Sequence, residues 1–279
     1  MKQLRILVLV SFLAALTGCS NSFVYNQLDW LIPWYLGDYV DLNREQQRAF
    51  KAELRELLRW HRSEELARYV ELLDSIEADL DQPLGAEQIE SWANDALAAY
   101  ERIEDRMLPM IFDLGRGLSD EQMAEFIEKL DENQRELEEK YLERSDEEYL
   151  EDAAEDLAEN LGDFLGRLSA EQREVIQTAA ASLQRFDAAW LDERRQWNTR
   201  LTQLLQREPG WEEAIMTALR ERDANRTESY RSAYAHNAII INQSIADVLN
   251  LRSEEQDRRL RGEIEDLRRD LRKLIAQGD

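Results

Sequence analysis

The chain has 279 residues, of which 43% are hydrophobic and 34% charged, and its formal net charge is -24. Such an acidic surface repels phosphate backbones, which excludes nucleic acid as a partner. With 10 Gly, 4 Pro and one Cys, the composition suits amphipathic helices, leaves no disulfide within one chain, and is far from that of a disordered segment.

The first element is a leader. Lys2 and Arg5 precede an apolar run, Ile6 to Leu16, that is too short to span a bilayer but has the length of a signal-peptide core. It ends in Leu16-Thr17-Gly18-Cys19, which matches the bacterial lipobox. By that resemblance residues 1–18 are removed and Cys19 carries acyl chains. Each buried CH₂ of such a chain contributes about 0.8 kcal/mol to anchoring. Ser20, where an Asp would signal retention in the inner membrane, implies the periplasmic face of the outer membrane.

Residues 19–42 follow as an aromatic segment, "FVYNQLDWLIPWYLGDYV" from Phe23 to Val40. Only Ser20, Asn21 and Ser22 separate the acyl site from Phe23, a reach of roughly 10 Å. The segment therefore begins at the headgroup layer, where Tyr and Trp rings are at home. Phe23 and Tyr25 are expected to touch lipid, with Trp30, Trp34 and Tyr39 packed on the rest of the protein.

Residues 43–279 read as one helical domain. Helix starts announce themselves in a recurring phrase: Leu42-Asn43-Arg44-Glu45-Gln46, Leu84-Gly85-Ala86-Glu87-Gln88, Leu118-Ser119-Asp120-Glu121-Gln122 and Leu168-Ser169-Ala170-Glu171-Gln172, with a looser copy at Ser253 to Gln256. A capping Ser or Asn followed three residues later by Gln forms a capping box, and acidic residues in the first turn suit the helix dipole. Apolar stripes at helical period follow each start. The first helix runs through Phe50, Leu54, Leu57, His61, Leu66, Tyr69, Leu73 and Leu80. The second stops before Pro109, the third breaks at Ser145, and the fourth runs unbroken from Val175 to Leu204. The fifth, from Trp211 to Asn250, is interrupted between Arg220 and Glu228. The last places Leu260, Ile264, Leu267, Leu271 and Leu274 in steps of four and three, a coiled-coil-like seam. No segment alternates with period two. The expected class is all-α, an elongated bundle of long antiparallel amphipathic helices.

Candidate chemistry is sparse. There is no Gly-rich phosphate loop, no G-x-S-x-G elbow and no cysteine cluster. His61 and His236 are the only histidines and neither has zincin spacing, so no metal, cofactor or catalytic residue is assigned. Trp60 and His61, adjacent on the first stripe, are the candidate partner groove. The acidic stretch 131–160 reads as a solvated helix face, and the arginines from Arg258 to Arg272 as flanks of the seam, able to dock on that acidic stretch.

Tyr25, Leu28, Asp29, Trp30 and Leu31, close behind a lipobox and followed by helices opening with L-[ST]-x-E-Q, resemble a family of Gram-negative bacterial lipoproteins classified only as a domain of unknown function. The resemblance implies no activity, cofactor or catalytic residue. The helix starts are also similar to those of Spy-type periplasmic chaperones. The expected function is that of a non-enzymatic, membrane-anchored helical module that binds or scaffolds an envelope protein partner. The alternatives are a holdase-like chaperone and a carboxylate-dependent hydrolase of cell-wall glycan. The hydrolase would need two carboxylates converging in a cleft, one with a raised pKa.

Overall fold

The computed structural model describes residues 21–277. The leader, Leu16, Thr17, Gly18, Cys19 and Ser20 lie outside the described residues. What is described is a bundle of α-helices with no strand: α1 (Asn21–Tyr25), α2 (Leu28–Leu36), α3 (Arg44–Trp60), a π turn (His61–Glu65), α4 (Leu66–Asp79), α5 (Ala86–Gly117), α6 (Asp120–Leu142), α7 (Asp146–Leu165), α8 (Ala170–Ala181), α9 (Asp187–Leu204), α10 (Trp211–Arg220), α11 (Glu228–Asn250) and α12 (Glu254–Ala276).

Complete capping boxes open α3, α6, α7, α8 and α12, on Asn43, Ser119, Ser145, Ser169 and Ser253. The start at Gly85 has no side-chain cap. There Gln88 reaches back to Asp79 Oδ2 (2.6 Å), which also accepts from the Trp92 indole (2.9 Å). The four box glutamines do a second job, because they meet in pairs. Gln46 and Gln122 exchange amide hydrogen bonds of 2.8 and 2.9 Å, and Gln172 and Gln256 do the same at 3.2 and 2.9 Å. In each pair the remaining Nε2–H donates to a backbone carbonyl near the partner's cap: Gly117 and Asp41 in the first, Arg167 and Val248 in the second. Two helix N-termini are thus pinned together wherever a complete capping box ends in Gln. The box ending in Glu148 stands alone, since two facing carboxylates would repel.

Packing follows the stripes. α12 lies against α4, α7 and α1, α11 against α5, α8 and α9, and α3 against α5. Leu260, Ile264, Leu267 and Leu274 of the seam are buried, and the first three join one core with Leu73, Leu161, Leu165 and Ile176. A second core gathers Val40, Phe112, Leu118, Met123, Leu205 and Ile215, and a third Phe186, Trp190, Leu191 and Tyr230. Among the described residues no ion pair of α12 reaches the acidic stretch 131–160. Arg268 is held by Asp74, Glu77 and Glu265, and Arg261 by Asp81 and Asp257. The acidic stretch is met instead by Arg144, Arg185 and Arg195.

Two boundaries differ from the sequence reading. α5 continues through Pro109 to Gly117. Proline in a helix costs ~3 kcal/mol, but Met110 and Phe112, just beyond it, are buried in two separate cores, and their burial more than offsets that. Conversely, the stretch from Val175 to Leu204 is broken between Ala181 and Asp187. The Asn237 side chain receives the Gln184 N–H at 2.9 Å and donates to the Gln184 carbonyl at 2.8 Å, so the broken turn has no orphaned backbone there. Among the described residues no helix is long and apolar enough to cross a membrane.

Candidate functional site

The first helical stripe is out of phase by one residue. Phe50, Leu54, Leu57 and His61 keep steps of four and three, and then Leu66 lies five residues beyond His61. The backbone absorbs the extra residue as the π turn His61–Glu65, with the Leu66 N–H bonded to the His61 carbonyl. Such turns are wide, and they occur often where side chains must be placed unusually. This one carries His61 and Glu65 inward together. Glu65 is 0% exposed and is held in a fork by Arg102 of α5 (2.8 to 3.0 Å), with Arg68 at 3.0 Å.

His61 is bracketed by two phenols. Tyr25 Oη lies 2.9 Å from Nδ1 and Tyr69 Oη 3.2 Å from Nε2. Arg62 covers the Tyr25 ring at 5.1 Å, and its Nη2 donates to Asn26 Oδ1 at 2.8 Å. Burial pushes His61 down to about 4, with the Arg62 charge assisting against the opposing pull of Glu65. Burial likewise pushes both Tyr25 and Tyr69 up. Trp60 is half-buried, its ring under the Arg106 guanidinium at 5.7 Å. The expected groove at Trp60 and His61 is therefore a filled polar knot, and neither of the two pockets described below reaches it. His236 is satisfied singly, on the Ser182 carbonyl at 3.0 Å.

The knot fixes a pH dependence. An unfolded histidine titrates near 6.5, the folded one near 4. Between those values the unfolded chain binds the extra proton, so stability is complete above pH 6.5 and falls as pH drops toward 4, by about 3 kcal/mol over the window. Chemical denaturation at pH 7.5 and pH 4.5 should show a steeper loss in the parent than in His61→Gln. Equal losses would remove His61 from the account.

The family match covers residues 38–231, which is more than half of the chain. The chain belongs to DUF6279, a family of unknown function. The DUF6279 region includes the π turn, Arg102 and both pockets, and ends before α12. No curated protein and no solved structure matches the chain.

The segment before the DUF6279 region is arranged differently from the expectation. α1 is clamped to the end of α12: Ser22 is buried with Lys273 Nζ 3.5 Å from its hydroxyl, and Asn26 bonds Gln277 at 3.2 Å. Tyr25 turns inward to His61 and is half-buried, while Phe23 is 64% exposed. Trp30 and Trp34, expected on the bundle, are exposed at 57% and 61% and stack on each other, ring centroids 6.2 Å apart. They occupy one side of α2 while Ile32 and Leu36 use the other to reach the α3–α5 core, so a single helix turn cannot bury both sets. Tyr39 does pack, against Phe126 at 6.2 Å, with its hydroxyl bonded to Asn133.

Two pockets escaped the sequence reading, because their residues come from separate helices. One, about 140 Å³, is walled by Trp190, Arg194, Trp197, Arg222, Arg226 and Tyr230 from α9, the α10–α11 connection and α11. The other, about 770 Å³, is lined by Leu108, Pro109, Phe112, Met216 and Leu219 together with the carboxylates Glu101, Glu104, Asp105, Asp113, Glu212 and Asp223 and the guanidinium groups of Arg116, Arg220 and Arg222. Among the described residues no group of three or more His, Cys, Asp or Glu side chains is placed to hold a metal ion.

Proposed function

We propose that this DUF6279 chain is a lipoprotein anchored through acyl chains on Cys19 to the periplasmic face of the outer membrane, and that its helical bundle is a non-enzymatic binding or scaffolding module for an envelope protein. The observation that carries the reading is the run of exposed large apolar side chains Phe23, Val24, Trp30, Trp34 and Tyr35, gathered in one short segment of chain that begins four residues after Cys19, with Trp30 and Trp34 stacked on each other. A monomeric soluble surface rarely leaves so many large apolar side chains together. The other large apolar side chains that are exposed among the described residues, Ile111, Leu142 and Ile239, lie on three different helices. Aromatic rings at the headgroup layer give that run a use, and clamping of α1 to α12 holds the bundle in a restricted orientation above the anchor.

The alternatives have less behind them. Burial raises Asp156 on α7, as a hydrolase acid requires, but Asp156 lines neither pocket. A holdase needs a broad apolar concavity, and the larger pocket is lined by six carboxylates and three arginines beside its five apolar side chains. The anchor is tested by metabolic labelling with a fatty acid in cells that process lipoproteins. The parent should be labelled and sediment with outer membrane, and Cys19→Ala should do neither. Label retained in Cys19→Ala contradicts the proposal.

A further inference from the structure

The larger pocket is a groove with a direction. Glu101, Asp105, Leu108, Phe112 and Arg116 in its wall recur at steps of four and three, so they lie along one face of α5, about 22 Å long at 1.5 Å per residue. α10 runs beside that face in the opposite sense. Arg116 pairs with Glu212 in the first turn of α10, and Arg222, just past its end, faces Glu104 at 3.5 Å. Trp211 braces the two helices, its ring edge-on to Phe112 at 5.6 Å and so near Gly115 that a Cβ there would lie 3.0 Å from it. In chain order the apolar residues come between charged ones on both helices. Leu108, Pro109 and Phe112 fall between Asp105 and Asp113, and Met216 and Leu219 between Glu212 and Arg220.

The charges of the groove do not cancel. Its lining has six carboxylates and three guanidinium groups. Arg226, outside the lining, holds Asp223 at 2.6 Å, which still leaves two carboxylates in excess. At one end Asp113 and Glu212 share the single Arg116. At the other, Glu101 and Asp105 are exposed, and neither they nor Arg220 form an ion pair among the described residues. The remaining cations of this part of α5 are engaged elsewhere, Arg102 by Glu65 and Arg106 by the Trp60 ring. The charge pattern repels anionic lipid and suits an occupant that is apolar in the middle and basic at its ends.

The walls decide the occupant's backbone. Both are helices, which spend their N–H and C=O groups on themselves, so an extended strand would find no ladder to join. A helix arrives with its own backbone bonds made, and 22 Å corresponds to about 15 residues. We propose that the α5–α10 groove docks an amphipathic helix of about four turns from a protein partner, its apolar stripe on Leu108, Phe112, Met216 and Leu219 and a Lys or Arg at each end. The proposal rests on the binding-module reading of the bundle, for which it names the surface and the kind of partner, and not on the lipid anchor.

Fluorescence anisotropy of a labelled synthetic peptide, titrated with the full chain in solution without vesicles, tests it. The peptide has about 15 residues, with Leu at steps of three and four, Lys at both ends and Gln elsewhere. It should bind saturably. The same residues scrambled to break the stripe, and the same stripe with Glu in place of Lys, should each bind at least about ten-fold more weakly. Glu101→Gln with Asp105→Asn should weaken the peptide by about ten-fold at unchanged melting temperature, since neither carboxylate has an ion-pair partner to lose. Glu147→Gln with Glu151→Gln, two exposed acids on α7, should leave it unchanged, which separates docking in the groove from the general attraction of an acidic chain. Absence of saturable binding, equal binding of the scrambled peptide, displacement by an equal concentration of spermidine, or equal effects of the two double variants would each overturn the proposal. No acyl chain or membrane enters this assay, so its failure leaves the anchor standing, and loss of the anchor leaves the groove.

Discussion

Replacing Glu65 by Ala is expected to lower the unfolding free energy by about 3 kcal/mol, the lower end of the range for breaking a buried ion pair. Glu65 is fully enclosed, and its loss leaves the Arg102 guanidinium without the two carboxylate oxygens that hold it. Arg102 is 34% exposed, so solvent recovers part of the loss, which keeps the figure at the low end. The double variant Glu65→Met with Arg102→Leu should regain most of it, because the one partner then left, Arg68, is 49% exposed and can be solvated. Urea denaturation followed by circular dichroism reads both. A Glu65→Ala protein within ~0.5 kcal/mol of the parent would mean that the π turn is held by packing alone.

The second large effect is expected at Gln172. Its amide is saturated: Oε1 accepts from the Ser169 N–H at 2.9 Å and from Gln256 Nε2, while Nε2 donates to the Val248 carbonyl at 3.1 Å and to Gln256 Oε1. Gln172→Glu replaces two donors by an anion aimed at two oxygens, in a site with 0% exposure. The cost at pH 7 should be about 3 kcal/mol or more. Because the buried carboxyl's pKa is raised, the deficit should be smallest at low pH and grow as pH rises through that pKa. The same change at Gln122, in the half-buried twin of this pair, should cost only about 1 kcal/mol. Equal costs at the two positions, or no pH dependence at Gln172, would show that the amide pairs are incidental.

These pairs mark the limit of what the sequence could say. The five capping-box helix starts were legible, because capping is chemistry within four residues. That Gln46 would meet Gln122 and Gln172 would meet Gln256 was not, although the choice of Gln over Glu at those four positions hinted at a second partner. The π turn is also written in the sequence, as the step of five from His61 to Leu66, although the apolar stripe on either side of it looks continuous. Pro109 misled because local backbone cost was weighed without the cores that Met110 and Phe112 enter. The break before Asp187 depends on Asn237, more than fifty residues away. The same distance hides the small pocket: Arg194, Arg222 and Trp190 share no motif and lie together only through the packing of α9 with α10 and α11. The lipobox needed no tertiary information. The direction faced by the aromatic segment did, since Trp30 and Ile32 differ only in the side of α2 they take.

The central claim is that this exposed aromatic run lies on the membrane. Lipidated protein in vesicles containing bromine-labelled lipids tests it through tryptophan quenching. The parent should lose a clear part of its emission, and most of that quenching should vanish in the double variant Trp30→Phe, Trp34→Phe, which leaves the five other tryptophans untouched. Quenching that survives unchanged in the double variant would mean that another surface faces the lipid, and would contradict the account.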